Sequence, residues 1–284
     1  MNDPIATIAV PTQARPEALG RCLRALEAQT LGERLELLVV CDGAEHEAAL
    51  AETVGSSPRV RLLTQRRAGP GAARNLAAAE ARAPVVCFTD DDCEPRPDWA
   101  ERLIARLDRG AGAAVGRTEN PDRENTLATA SQLVVNYLTE HAARAGPVYG
   151  AANNVACRAD VLRGIPFDPA YSFAGGDRDW CARVAQAGVE LVYVPEAVVL
   201  HRQQLTLETF WHQHVAYGRG AYRFRRGQGA SLRLERPRFY GGLVARGLAE
   251  GPAVGALVLL AQAATAVGFA REALARGAAS GVEG

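Results

Sequence analysis

Val86-Cys87-Phe88-Thr89-Asp90-Asp91-Asp92 is the stretch on which the reading of this chain turns. Its apolar start suits a buried strand, and three carboxylates then follow in a row. Consecutive carboxylates at the end of a buried strand repel one another and desolvate badly, so something positive must offset them. Oxygen ligands of this kind suit Mg²⁺ or Mn²⁺ held jointly with substrate phosphates. The plainer alternative is a solvated acidic turn ahead of Glu94-Pro95-Arg96-Pro97.

Working outward, the same rhythm repeats. Residues 5–10 form an apolar, β-branched run that ends at Pro11-Thr12 and reads as a strand. Pro16 then opens a helix, with Leu19, Cys22, Leu23 and Leu26 on one apolar stripe. Strands are expected at 35–41, 60–64, 84–89 and 113–117, with helices at 69–80 and 98–109 between them. Strand and helix alternate through short connections, which predicts an α/β fold with a mostly parallel sheet flanked by helices. Further on, helices are expected at 127–141 and 177–187, and strands at 154–157, 191–194 and 198–200. A long helix follows, with Thr206 as its N-cap. In open α/β sheets ligands bind beyond the carboxyl ends of strands. That rule singles out Thr12, Asp42 and Asp90 to Asp92, all at points where an apolar run stops.

Composition excludes little but sharpens the rest. The chain has 284 residues and a formal net charge of zero, so nothing global points to a nucleic-acid or polyanion partner. All of its basic charge is Arg, with no Lys, which reads as compositional bias and discounts Arg richness as a binding signal. The six cysteines form no C-x-x-C pair, and reduced thiols in the cytoplasm fit them better than a disulfide framework. The N-terminus has the features of a strand and not of a secretory leader. Residues 251–270 carry no charge. They are long enough to span a bilayer, but rich enough in Ala and Gly to be a buried or membrane-surface helix instead.

Other constellations carry weaker signals alone. Asp42-Gly43 is a turn by composition and a ligand site by position. Arg66-Arg67-Ala68-Gly69-Pro70-Gly71 leads into a helix bearing Arg74, and helix N-termini and guanidinium groups both favour phosphate. Gly175-Gly176-Asp177-Arg178-Asp179-Trp180 puts two acids at a helix start. There they complement the helix dipole or act as a general base, with Trp180 able to stack on a sugar face. His201 ends an apolar run and is a candidate partner of a metal or diphosphate. Arg219, Arg223, Arg225, Arg226 and Arg233, mixed with Tyr217, Tyr222 and Phe224, read best as a solvated helix face. A nucleic-acid surface or a contact with anionic lipid are the alternatives.

Seven of these segments fall in the order found in the family 2 glycosyltransferases, which the chain resembles over about residues 5–225. The first loop, with Pro11, Thr12 and Arg15, is similar to their nucleotide-binding loop. Val39-Val40-Cys41-Asp42-Gly43 resembles the stretch that contacts the base, and Gly71-Ala72-Ala73-Arg74-Asn75 resembles their Ala-Arg-Asn helix start. The resemblance implies a GT-A fold, with Asp90 near the ribose and Asp92 on the metal in an Asp-x-Asp motif. Gly150 to Arg158, with Asn153 and Asn154, resembles the segment lining the acceptor and sugar site. The Gly175 to Trp180 segment resembles the region of the catalytic base, and Val199-Leu200-His201-Arg202 resembles the late His near the metal. Two positions depart from the pattern: Gly176-Asp177 stands where Glu-Asp is common, and Gln13-Ala14 where Tyr-Asn is common.

The implied chemistry is inverting, metal-assisted transfer of a hexose from a nucleotide-diphosphate sugar to an acceptor hydroxyl. Mn²⁺ or Mg²⁺ is held by Asp92 and His201, and Asp177 serves as base with Asp179 as the alternative. The implied domains are a transferase domain over 1–225 and a C-terminal helical extension over 226–284. The expected setting is the cytoplasm or the cytoplasmic face of a membrane. The partners are the donor and a glycan, lipid-linked or small-molecule acceptor, with no nucleic acid. A sugar nucleotidyltransferase and a non-catalytic nucleotide-sugar-binding protein are the rival readings.

Overall fold

A computed structural model describes residues 3–13, 15–55, 57, 59–171, 174–228 and 235–280, and side chains as far as 276. Arg233 of the Arg-rich stretch and Ala14 of the first loop lie outside the described residues. In chain order the strands are β1 (Ala6–Thr12), β2 (Leu35–Asp42), β3 (Val60–Gln65), β4 (Val85–Phe88), β5 (Cys93–Pro95), β6 (Ala113–Glu119), β7 (Val155–Arg158) and β8 (Leu191–His201). The helices are α1 (Pro16–Glu27), α2 (Glu47–Gly55), α3 (Pro70–Glu80), α4 (Trp99–Leu107), α5 (Thr126–Ala145), α6 (Ala159–Gly164), α7 (Gly176–Gln186), α8 (Leu207–Gly227), α9 (Pro237–Glu250) and α10 (Pro252–Ser280).

All eight strands form one sheet in the order β3-β2-β1-β4-β7-β6-β8-β5. β3, β2, β1 and β4 run parallel, as do β6 and β8, while β7 and β5 are antiparallel to their neighbours. Alternation along the central strands divides the apolar residues between two faces. Ile8, Val10, Leu37, Val39 and Cys87 join Leu19, Leu23, Trp99 and Leu103 in one core. Ala9, Leu38, Val40, Val86 and Phe88 join Ala73, Ala77, Leu162, Trp180 and Val184 in the other. Helices therefore cover both faces, and the ends of β1, β2 and β4 open on the same edge.

Two expected strands, 191–194 and 198–200, are one strand, β8. Its pairing with β6 slips between Gly116 and Arg117, where Val194 and Val198 become successive partners. Pro195, which has no N–H to give the ladder, lies in the slipped stretch. Asn154 fills the irregularity. Its Nδ2 donates to the carbonyls of Arg117 (2.9 Å) and Ala197 (3.1 Å), and its Oδ1 accepts from Trp99 Nε1 (2.8 Å). The short elements β5, α2 and α6 gave no periodic signal, since three to nine residues are too few to establish one.

The chain divides into two compact units. The first, Met1–Glu119 with Thr139–Ser172 and Asp177–Arg202, holds the sheet. The second gathers Asn120–Leu138, Phe173–Gly176 and Gln203–Gly284. Within it Phe210, Phe239, Leu243, Val254, Val258 and Ala261 form a core. A Cβ at Gly218 or Gly268 would run into the facing backbone of α10 or α8, so glycine at both positions lets these helices pack closely. Glu272 accepts from Arg219, Arg223 and Arg276 at 2.7–3.0 Å, so three of the second unit's arginines serve an internal ion cluster. Pro252–Arg276 is long and apolar enough to cross a membrane by length and composition, with a third of it buried in the protein.

Candidate active site

The three aspartates follow β4, where the chain turns before β5, and Arg74, Arg15 and His201 are their partners. Asp90 Oδ1 accepts from Arg74 at 2.7 Å. Asp91 is buried, accepts from Thr12 Oγ1 (2.6 Å), and is gripped through both oxygens by Arg15. Burial raises its carboxyl to about 6, with Arg15 and Thr12 pulling the other way, so at neutral pH it is the ionised partner of Arg15. Asp92 Oδ2 accepts from Arg15 at 2.7 Å, and Asp92 Oδ1 lies 3.3 Å from His201 Nε2. Burial opposes ionisation of Asp92, but His201 and Arg15 outweigh it and hold its carboxyl well below the usual range. His201 reaches this point because β8 pairs antiparallel with β5, placing it opposite Cys93.

The donor set at Asp92 suits a divalent cation. Asp92, Cys93 and His201 each offer a ligand atom, and these atoms all lie within 4.8 Å of one another. Carboxylate and imidazole together suit Mn²⁺, and with phosphate oxygens Mg²⁺.

Asp42 ends β2 and is engaged by the loop after β1 and by the end of β3 with the loop that follows it. It accepts from Gln65 Nε2 (2.7 Å), the Ala68 N–H (2.8 Å), Gln13 Nε2 (3.0 Å) and the Gly69 N–H (3.0 Å). Burial pushes its carboxyl up, and these four donors outweigh that and lower it. Gln13, one of the two departures in the first loop, thus ties that loop to the end of β2. Pro11 is half-buried in β1, which carries Thr12 and then Arg15 to the aspartates.

Arg74 stands between two acids. It is buried, donates to Asp90, and lies 5.7 Å from the centre of the Phe167 ring. Its charge also acts on Asp177, half-buried in the first turn of α7. Burial pushes the Asp177 carboxyl up, against Arg74 and the Ala152 N–H that donates to it at 3.1 Å. Asp179 differs: it is buried and accepts from Arg183 at 2.7 Å, one turn on. Asn75, next to Arg74, exchanges two 2.8 Å hydrogen bonds with the backbone of Phe167 and so fixes the ring under the guanidinium.

The acceptor-side residues divide. Asn153 is buried beside the aspartates, accepting from Thr118 Oγ1 (3.3 Å) and donating to Cys93 Sγ (3.7 Å). Asn154 spends its amide on the β6–β8 irregularity and on Trp99. Trp180 is also turned inward. It is buried, stacks on Phe167 with ring centres 5.0 Å apart, and donates to the Ile165 carbonyl at 2.9 Å. In this structure it presents no face to a sugar. Phe167 and Cys93 were not singled out from the sequence, where one aromatic and one cysteine carry no pattern.

Residues 7–167, which include β1 to β4 and the aspartate run, match Glycosyl transferase family 2. A pre-mycofactocin glycosyltransferase of Mycobacterium tuberculosis is 26% identical over 228 residues, covering 76% of this chain and 46% of that protein. Glycosyltransferase AglE of Haloferax volcanii is 24% identical over 204 residues, covering 70% of this chain and 67% of that one. The chain therefore spans about half the length of the mycobacterial relative. A solved mannosyltransferase of Pyrobaculum calidifontis, in complex with GDP-Man and Mn²⁺, aligns over 99% of this chain and 81% of its own, at 18% identity and a TM-score of 0.61. That likeness is one of fold, and it agrees with the GT-A arrangement of a mostly parallel sheet flanked by helices. With more than half of its length matched, the chain belongs to glycosyl transferase family 2.

Proposed function

We propose that this chain is a metal-assisted, inverting glycosyltransferase acting from a nucleotide-diphosphate sugar on a hydroxyl acceptor. The observation that carries the reading is the division of labour among the acids. Asp90 is neutralised by Arg74 and Asp91 by Arg15, Asp92 shares Arg15 through one oxygen and faces His201 through the other, and the separate Asp177 is made more basic by burial. Asp42, Thr12, Arg15, Arg74 and Asp90 hold the nucleoside end of the donor. Asp92 and His201 would hold Mn²⁺ or Mg²⁺, which supplies charge neutralisation of the diphosphate leaving group when bound.

Asp177 takes the acceptor proton while the acceptor oxygen bonds to the anomeric carbon. The bond from that carbon to the diphosphate oxygen breaks, and its electron pair leaves with the nucleoside diphosphate. One displacement gives inversion. Such base catalysis contributes about 10²–10⁴-fold. Asp177 is preferred to Asp179 because the latter is already paired with Arg183. The acceptor is a glycan, lipid-linked or small-molecule hydroxyl at the cytoplasmic side. The outward face of α10, with Ala256, Leu259, Ala263, Ala266 and Leu274 all exposed and uncharged, supports peripheral contact with a membrane.

The test is calorimetric titration of UDP-, GDP- and dTDP-sugars with and without Mn²⁺, followed by turnover with Asp177→Asn. Metal-dependent binding of one donor, retained by a variant that no longer transfers, is expected. Binding of a nucleoside triphosphate with pyrophosphate release, and of no nucleotide sugar, would replace the reading with nucleotidyl transfer.

A further inference from the structure

We propose that Cys93 is a third ligand at the Asp92–His201 site, so that the site takes thiophilic divalent cations, Zn²⁺ or Cd²⁺, ahead of Mn²⁺ or Mg²⁺. The inference rests on the reading of Asp92 and His201 as metal ligands and adds selectivity to it.

Three observations converge. First, one carboxylate oxygen faces both other donors: Asp92 Oδ1 is 3.3 Å from His201 Nε2 and 3.8 Å from Cys93 Sγ. The second oxygen of Asp92 is taken by Arg15, so a cation at Oδ1 meets nitrogen and sulfur. Ligand atoms about 2.0–2.3 Å from one zinc ion stand at most about 4.6 Å apart, and the three atoms here already lie within 4.8 Å of one another. Second, the arrangement is fixed by the sheet. Cys93 and His201 are direct partners across the antiparallel β5–β8 ladder, and such partners project on the same face. Third, the sulfur has outer-sphere support. Asn153 Nδ2 donates to Cys93 Sγ at 3.7 Å, a contact that remains to stabilise a thiolate.

Softness then decides the preference. Thiolate selects zinc and its heavier analogue, whereas carboxylate and water suit Mg²⁺ and Mn²⁺. In the binding step the cation accepts a sulfur lone pair and the thiol proton passes to solvent. Solvent reaches the site through Asp92 and His201, whose side chains are 18% and 14% exposed, while the sulfur closes it from the buried side.

The experiment uses the full chain. Cd²⁺ is titrated while the ultraviolet thiolate-to-cadmium charge-transfer band is followed, and Mn²⁺ is titrated by electron paramagnetic resonance. The proposal expects a band saturating at one Cd²⁺ per chain and displacement of bound Mn²⁺ by Cd²⁺. Cys93→Ser, checked for folding by circular dichroism, should lose the band and at least tenfold in Cd²⁺ affinity. That is the lower end of the roughly 10–100-fold that even an outer-sphere contact is worth. Its Mn²⁺ affinity should fall by a smaller factor than its Cd²⁺ affinity, and an equal loss for both ions would overturn the selectivity. Cys93→Ala serves in place of Cys93→Ser if that variant misfolds. A band retained by the variant assigns cadmium to another cysteine and overturns the proposal. Mn²⁺ binding with no cadmium band overturns it while the metal site stands. Binding of neither ion overturns both it and the metal reading beneath it.

Discussion

Asn154 and Asn153 are neighbours in one motif, and the structure separates them by energy. Asn154→Ala removes an acceptor from the fully buried Trp99 N–H and donors from two carbonyls, Arg117 and Ala197. A buried polar group left without its partner costs about 1–3 kcal/mol. Three such groups, with some relaxation of the loop carbonyls towards water, place the loss at about 3–6 kcal/mol. Against a total stability of about 5–15 kcal/mol that is a large fraction. For a chain of this size it corresponds to a fall in Tm of about 6–12 °C, taking roughly 2 °C per kcal/mol. Asn153→Ala loses only contacts of 3.3 and 3.7 Å, so its stability should stay within about 1 kcal/mol.

Urea titrations of both variants, monitored by tryptophan fluorescence and circular dichroism, measure the difference. Asn154→Asp sharpens the comparison. It keeps an acceptor for Trp99 but turns a carboxylate oxygen towards two carbonyls, so at neutral pH it should be no more stable than the alanine variant. An Asn154→Ala protein within about 1 kcal/mol of the wild type would refute the role assigned to this residue. If that variant also lost donor or acceptor binding, Asn154 would return to the site where sequence alone placed it.

The other expectations are shorter. Burial raises the Asp177 carboxyl, so the acidic limb of kcat/KM should rise with pH through a midpoint above the ordinary aspartate value of about 3.9. Asp177→Asn should abolish that limb together with transfer, and an unshifted limb in a still active variant would exclude Asp177 as base. Glu272, held by Arg223, Arg219 and Arg276, has its pKa lowered from 4.5 to about 2. A depressed carboxylate pKa adds stability above the unfolded value that is lost as pH falls through the folded one. Glu272→Gln should thus cost about 1–2 kcal/mol at pH 7, after discounting the half-exposed arginines for solvent screening, and the gap should close between pH 4.5 and 2. A gap independent of pH would locate the effect in packing. Chelation of divalent metal should leave Tm within about 2 °C, read by calorimetry, while donor binding weakens.

What the sequence revealed follows from the range of each signal. Continuous apolar runs marked β1, β2 and β4 because these strands are buried on both faces, and a 3.6-residue stripe marked α1 because that helix buries one side. The positions of Thr12, Asp42 and Asp90 followed from the ends of those runs. The orientation of single side chains did not. Trp180 lies one residue from Asp179 at a helix start, and only packing against Phe167 turns it inward. Asn154 gives no local sign of its task, because its partners are 37, 43 and 55 residues away. The same holds for Cys93, which meets His201 only once β5 and β8 pair.

The aspartate run joins these two levels. Three adjacent carboxylates demand compensating charge, and a metal is the first thing that demand suggests. The protein instead distributes the compensation among Arg74 on Asp90, Arg15 on Asp91 and Asp92, and His201 on Asp92. The cost of gathering the acids is therefore met largely within the fold, which is why chelation should leave its stability nearly unchanged. Arg15 is the exposed member of this set, half of its side chain lying in solvent, whereas Arg74 is buried. Arg74 is held between Asp90 and Phe167, while Arg15 bridges Asp91 and Asp92 from the solvent side, so loss of either would strand a carboxylate in the cluster.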